Sequence, residues 1–258
     1  MSGTAEISLM PASMPPSTFP VDAALDDETQ RLSPLSPLAD AQIETIADDL
    51  VTRGFSHRPQ FFGEALIDSL WRDLDALKAR DALSAAGIGR LGDRKLDRRV
   101  RGDAIRWLAS DTPSQRAYLL LMSTLRERLN RALYPGLFEF EAHFACYPTG
   151  AFYKRHLDSF QGRSNRVIST VTYLNRAWPA DGGGEMVLYE RTLSGPAGFD
   201  PQAPAREIGR VPPRAGTLVC FLAESVPHEV LPTRLPRASI AGWFRRNASV
   251  GGLVDPAR

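Results

Sequence analysis

The hydrophobic period of this chain changes once, near residue 138, from helical to alternating, and that change restricts the fold more than any other feature. Before it, Ile43, Ile46, Ala47, Leu50 and Val51 form one helical stripe, with Asp40 as its N-cap and Gly54 as its stop. Leu66, Ile67, Leu70, Trp71, Leu74 and Leu77 form a second, a core stripe that needs a sheet to pack on. Thr112-Pro-Ser-Gln115 has the form of a capping box with Pro at the first helical position, and introduces a third helix over Tyr118 to Leu133. After the change, Phe138, Phe140, Ala142, Phe144 and Cys146 alternate with Glu139, Glu141, His143 and Tyr147, and Val167, Ser169, Val171 and Tyr173 continue the pattern in the next strand. Short strands separated by Gly and Pro turns predict a jelly roll with helices against one face, an α+β class.

Residues 1–38 stand apart. Met10 to Pro20 and Ser33 to Pro37 are rich in Pro and Ser and carry neither period, which predicts a flexible tail. One domain then spans 39–246, with helical support over 39–135 and the strand-rich core over 138–246, followed by a short tail over 247–258. At 258 residues the chain can bury a substantial core. A formal net charge of +1 supplies no attraction for nucleic acids or membranes in general. No stretch reaches the length of a membrane span, and no charged-then-apolar secretory signal opens the chain. Cys146 and Cys220 sit in apolar runs and read as buried thiols in a reducing compartment, so a cytoplasmic location is expected.

The alternating half also carries the chemistry. Residues i and i+2 of an extended segment project from one side, so His156 and Asp158 can reach one ion while Leu157 points away. His228 follows the strand-like run Gly216 to Leu222, which can deliver it as a third ligand. Two imidazoles and a carboxylate on one face of a metal leave the other positions open, as non-haem Fe(II) enzymes need to bind a co-substrate and dioxygen together. Taken singly, each histidine reads more readily as a surface or hydrogen-bonded strand residue. Arg237 changes that balance, because it shares one strand face with Ser239, Ala241 and Trp243 and offers a planar fork that matches a carboxylate bidentately. The distal carboxylate of 2-oxoglutarate is the obvious guest, since the other end of that molecule can chelate Fe(II) and still leave a position for dioxygen.

His156-Leu-Asp158, Pro227-His228-Glu-Val230, Arg237 and Gly242-Trp-Phe244 together resemble the prolyl 4-hydroxylase branch of the Fe(II)/2-oxoglutarate oxygenases. Within that branch the likeness is to the prolyl hydroxylase domain proteins, the HIF-type oxygen sensors, and their bacterial counterparts. Arg101-Gly-Asp103 through Trp107, Ala145-Cys-Tyr-Pro148 leading to Tyr153-Lys-Arg-His156, Tyr173-Leu-Asn175 and Gly183-Gly-Glu185 fall in the same order, so the resemblance runs over residues 40–246. It implies a double-stranded β-helix core buttressed by N-terminal helices. It also implies roles: His156, Asp158 and His228 bind iron, Arg237 pairs with the 2-oxoglutarate C5 carboxylate, Tyr173 donates a hydrogen bond to that carboxylate, Tyr147 lines the same pocket near the metal, and Trp243 closes its wall. Ala241 departs from the pattern, standing where animal relatives often carry a small hydroxylated residue.

By the same resemblance the reaction consumes Fe(II)-activated dioxygen and 2-oxoglutarate, releases succinate and carbon dioxide, and hydroxylates C4 of a prolyl residue in a protein substrate, with ascorbate as reductant in uncoupled cycles. If the chain is bacterial, as its Ala-, Arg- and Pro-rich composition permits, a translation factor is one candidate substrate. The basic segment Gly89 to Asp103 is a solvated loop on charge alone. The resemblance makes it a loop that closes over a peptide, with Arg101 and Asp103 anchoring its base and Asp103 pairing with Arg166. Two other readings stay open: an oxygenase acting on a free amino acid, another small molecule or a nucleic acid, and a non-catalytic binding module on the same fold. His57 and His143 stay outside the site in all three.

Overall fold

The computed structural model describes residues 26–32, 38–86, 99–159, 165–191 and 199–247. Helix α2 (Leu38–Thr52) begins two residues before the expected cap and is stopped by Gly54, whose φ of +77° only glycine adopts without strain. Ile43, Ile46, Ala47 and Leu50 are buried, but Val51 is 70% exposed. The stripe is therefore narrower than the sequence suggested, because one residue past Leu50 the helix has turned by about 100° away from its support. Helix α3 (Glu64–Ala79) buries Leu66, Ile67, Leu70 and Leu74. Helix α4 (Pro113–Leu133) starts as predicted, with the Thr112 side chain accepting from Gln115 N. The reciprocal half of the box is absent: the Gln115 side chain accepts from Ala109 N instead.

The tail expected through residue 38 contains an ordered element. Helix α1 (Asp27–Leu32) packs on α4, with Thr29 fully buried and Asp26 capping Thr29 N while pairing with Arg116. Local capping and one long-range ion pair outweigh the Pro-rich context there. The remainder of both expected tails, other than Asn247, lies outside the described residues, as does the middle of the basic segment, 87–98.

Eleven strands among the described residues form two antiparallel sheets. The larger has the order β1 (Phe55–Arg58), β9 (Leu218–Leu222), β6 (Arg166–Tyr173), β11 (Arg237–Arg246), β4 (Leu137–Tyr147), β3 (Ala104–Trp107) and β2 (Ser84–Ala85). The smaller has the order β5 (Tyr153–His156), β10 (His228–Val230), β7 (Met186–Tyr189) and β8 (Glu207–Val211). This is a double-stranded β-helix. The apolar residues of α2, α3 and α4 meet Phe140, Ala142, Phe144, Leu218, Ala238, Ile240 and Phe244 on one face of the larger sheet. On the other face, Tyr173, Val219 and Phe221 meet Met186 and Leu188 of the smaller sheet.

That arrangement explains why β4 and β11 are buried on both sides. Glu139, His143 and Tyr147, three of the four polar positions of the β4 alternation, are as buried as Phe140 and Phe144, because they face the interior between the sheets and not water, and Glu141 is half-buried. Phe138, near the strand's start, is instead 49% exposed. At Gly242 a Cβ would fall 2.5 Å from the Phe140 ring and 3.0 Å from Thr170 Oγ1. Gly242→Ala is therefore expected to lower stability by about 1–3 kcal/mol through overpacking, read as a lower urea midpoint with an unchanged slope. An unchanged midpoint would mean that β11 shifts at no cost.

Candidate active site

Strand register assembles the site. His228 of β10 lies directly across from His156 of β5, so the two imidazoles are cross-strand partners with ring centroids 4.2 Å apart. Asp158, two residues past His156, crosses to the larger sheet. His156 Nε2 lies 3.4 Å from Asp158 Oδ1, His228 Nε2 lies 3.8 Å from Asp158 Oδ2, and one ligand atom from each residue falls within 4.8 Å of the others. Donor atoms about 2.1 Å from one ion and at right angles stand ~3 Å apart, so a small contraction would close the three around a metal.

Each ligand is oriented by a second contact. Lys154 O lies 2.8 Å from His156 Nδ1, and Val226 O lies 3.2 Å from His228 Nδ1. Carbonyls only accept, so both Nδ1 atoms carry the proton and both Nε2 lone pairs face the centre. Burial pushes His228 down to about 4, which keeps it a neutral imidazole at neutral pH. Asp158 is ionised: burial opposes its charge, but His228, His156 and Arg166 hold its carboxyl well below the usual carboxylate range. Its Oδ2 accepts from Ser169 Oγ at 2.6 Å and Trp243 Nε1 at 2.9 Å. Oδ1, 3.4 Å from His156 Nε2, takes neither of these donors, which suits a metal held through one carboxylate oxygen.

The same β11 register that brings Trp243 opposite Ser169 and Glu141 also sets Arg237 opposite Tyr147 and Ser239 opposite Tyr173. The Arg237 guanidinium lies 4.8 Å from the Tyr147 ring centroid and 5.0 Å from that of Tyr173, and only 2% of the residue is exposed. Its Nε donates to Gly184 O at 2.9 Å and its Nη1 to Ser239 Oγ at 3.3 Å. Gly184 takes φ +68°, and a Cβ there would press on Thr233 and on Arg237 Cδ. Among the described residues no carboxylate pairs with Arg237. A buried guanidinium without an anion is costly. Beside it the Tyr173 hydroxyl is fully buried with no acceptor for its proton, and burial pushes its ionisation up. A guanidinium and a phenolic donor aimed at one space fit the distal carboxylate of 2-oxoglutarate, and the histidine–carboxylate set fits the ferrous ion.

Three expectations need correction or extension. Asp103 does not pair with Arg166: its buried carboxylate takes both Nε and Nη2 of Arg101, at 2.7 and 2.6 Å, while Arg166 is held by Glu141 at 2.8 and 2.9 Å. Cross-strand geometry decides this, since Glu141 and Arg166 both flank β11. Trp243, expected to close the co-substrate wall, gives its indole N–H to Asp158, with the Arg166 guanidinium 3.6 Å over its ring. Ser169 and Glu141 were not singled out at all, and only their place in the alternating strands could have suggested them. Trp243→Phe keeps the ring but removes the donor, and should weaken Fe(II) affinity about 10-fold, as loss of an outer-shell partner does. Metal titration checks this, and wild-type affinity would remove the indole from that role.

Residues 142–245 match the family described as the 2OG-Fe(II) oxygenase superfamily. The chain is similar to a crystal structure of a Pseudomonas putida prolyl-4-hydroxylase, with 35% identity, a TM-score of 0.67, and coverage of 80% of this chain and 100% of that one. It is also similar to the prolyl hydroxylase from Trichoplax adhaerens solved with a hypoxia inducible factor oxygen degradation domain peptide, with 25% identity, a TM-score of 0.65, and coverage of 81% of this chain and 90% of that one. The human prolyl hydroxylase EGLN3 is 29% identical over 215 residues, which are 78% of this chain and 82% of that protein.

Proposed function

Since the chain belongs to the 2OG-Fe(II) oxygenase superfamily and is a dioxygenase of the prolyl hydroxylase type, we propose that it hydroxylates C4 of a prolyl residue in a protein substrate. The observation that carries the reading is the buried Arg237, with no carboxylate partner among the described residues, set between Tyr147 and Tyr173 on the same strand whose Trp243 reaches Asp158 of the His156, Asp158 and His228 cluster. Support for a protein substrate comes from the likeness to prolyl hydroxylases over 80–81% of this chain, one of them solved with a peptide.

In this reading His156, Asp158 and His228 hold the iron, and Arg237 and Tyr173 take the C5 carboxylate, with Tyr147 against the guanidinium. Bound iron and 2-oxoglutarate supply the activation of dioxygen, with succinate and carbon dioxide as co-products. The chain's own residues do the positioning. Ser169 and Trp243 occupy one oxygen of Asp158 so that the other faces the metal. Phe221, 4.4 Å from the His228 ring, and the surrounding apolar side chains keep water from the buried side. Arg101 and Asp103 anchor the foot of the basic segment at the open side, next to the substrate. Ascorbate serves as the reductant that restores uncoupled enzyme. Two free cysteines in the strand core support a cytoplasmic location.

The test incubates pure protein with Fe(II), ascorbate and labelled 2-oxoglutarate, alone and with candidate proline-containing peptides, translation-factor loops among them. Peptide-stimulated succinate release with a gain of one oxygen on proline is the expected result. Succinate stimulated only by a free amino acid or another small molecule would replace the protein substrate, and no succinate at all would leave a binding module.

A further inference from the structure

Tyr153 and His156 are three apart in β5 and should point to opposite faces, yet their rings stack with centroids 3.6 Å apart and 16° between planes. A β-bulge explains it. His228 pairs with His156 while Val230 pairs with Tyr153, so three steps along β5 answer two along β10. The extra residue turns Lys154 O back onto His156 Nδ1 and swings Tyr153 over the imidazole.

The other face of the Tyr153 ring is covered as well. The Arg101 guanidinium lies 4.5 Å from its centroid, and a near-parallel imidazole at 3.6 Å already fills the first face. Arg101 is held in turn by Asp103, whose side chain is fully buried. Backbone bonds zip the two segments together: Gly102 N donates to Phe152 O at 3.1 Å and Lys154 N to Val100 O at 2.9 Å. At Gly102 a Cβ would stand 3.1 Å from the Ala151 Cβ, a tight contact that marks how closely the two segments approach.

We propose that Asp103, Arg101 and Tyr153 form a stacked clamp that positions His156 for the metal, and so couples the foot of the basic segment to the ferrous centre. Arg101 is a positioning residue that acts through Tyr153, not a group that contacts iron. The proposal rests on His156 being a metal ligand. A cation on the outer face of the phenol ring is attracted to its negative face, and a ring pressed on imidazole removes the rotation that would carry Nε2 away from the ion. The contact also gives Arg101 a function that its ion pair with Asp103 alone does not.

Co(II) binding, followed by visible absorption without 2-oxoglutarate or peptide, tests this separately from turnover. Tyr153→Phe keeps the stack and should bind Co(II) within about twofold of wild type, whereas Tyr153→Leu and Arg101→Gln should each bind about 10-fold more weakly. The double variant should bind no more weakly than Tyr153→Leu alone, because Arg101 has no other route to the metal. Additive losses, or wild-type affinity in Arg101→Gln, overturn the clamp. Should Tyr153→Leu fail to fold by circular dichroism, Arg101→Gln decides alone: about 10-fold weaker Co(II) binding supports the clamp and wild-type affinity overturns it. His156→Ala is the reference: if it binds Co(II) like wild type, the ligand assignment has failed and not the clamp.

Discussion

Arg237→Ala is expected to weaken 2-oxoglutarate binding by about 30-fold or more, since truncating one partner of a buried charge pair costs roughly 2–5 kcal/mol. The guanidinium is 2% exposed, held by Gly184 O and Ser239 Oγ between two tyrosine rings, and meets no carboxylate among the described residues. All of its charge is therefore available to the ligand. Arg237→Lys should fall between, keeping a charge but losing the fork and the planar fit between Tyr147 and Tyr173. Titration of the Mn(II)-loaded protein with 2-oxoglutarate reads the affinity directly. Thermal unfolding supplies a second readout: ligand at 100 times its Kd adds about 2.7 kcal/mol of stability to the wild type, and should add less than about 1 kcal/mol to Arg237→Ala at the same concentration. Equal affinity in wild type and Arg237→Ala would mean that the buried guanidinium serves the fold alone.

His228→Ala should abolish both metal retention and succinate release. Its Nε2 faces Asp158 and His156 from the buried side of the site, where no water can take its place without entering an apolar cluster around Phe221 and Val226. The loss in metal affinity should exceed the roughly 10–100-fold that outer-shell substitutions cost. Elemental analysis of protein reconstituted with Fe(II) checks the first effect, and labelled 2-oxoglutarate the second. Chelation of wild type should reproduce the inactive state and Fe(II) should reverse it. Stoichiometric iron in His228→Ala together with succinate release would overturn the three-residue centre.

The helices were legible because their information is local. Ile43 to Leu50 and Leu66 to Leu77 repeat at helical spacing, and Thr112 with Pro113 marks a start whose chemistry needs only neighbouring residues. The candidate ligands were legible for a similar reason: His156 and Asp158 are two apart, a local spacing that needs no partner strand, although β5 ends at His156 and Asp158 stands in the bend just beyond it. Where the signal was long-range, local reasoning failed. α1 is ordered by an ion pair from Asp26 to Arg116, ninety residues away. Asp103 chose Arg101 over Arg166 because Glu141 had already been brought to Arg166 across β11.

The order of residues along the chain determined the helical and alternating periods, the donor atoms suited to iron, and the single arginine fit to receive a carboxylate. Only the tertiary structure decided which of those groups meet. His228 reaches His156 through the β10–β5 pairing, Trp243 and Ser169 reach Asp158 through the β11–β6 pairing, and a bulge in β5 lays Tyr153 on His156 against the strand's own alternation. The reason is that a strand's side-chain period is two, so a slip of one residue in any of these pairings would turn the functional face away. Register is set by the packing of both sheets and the helices together, and no local segment of the chain contains it.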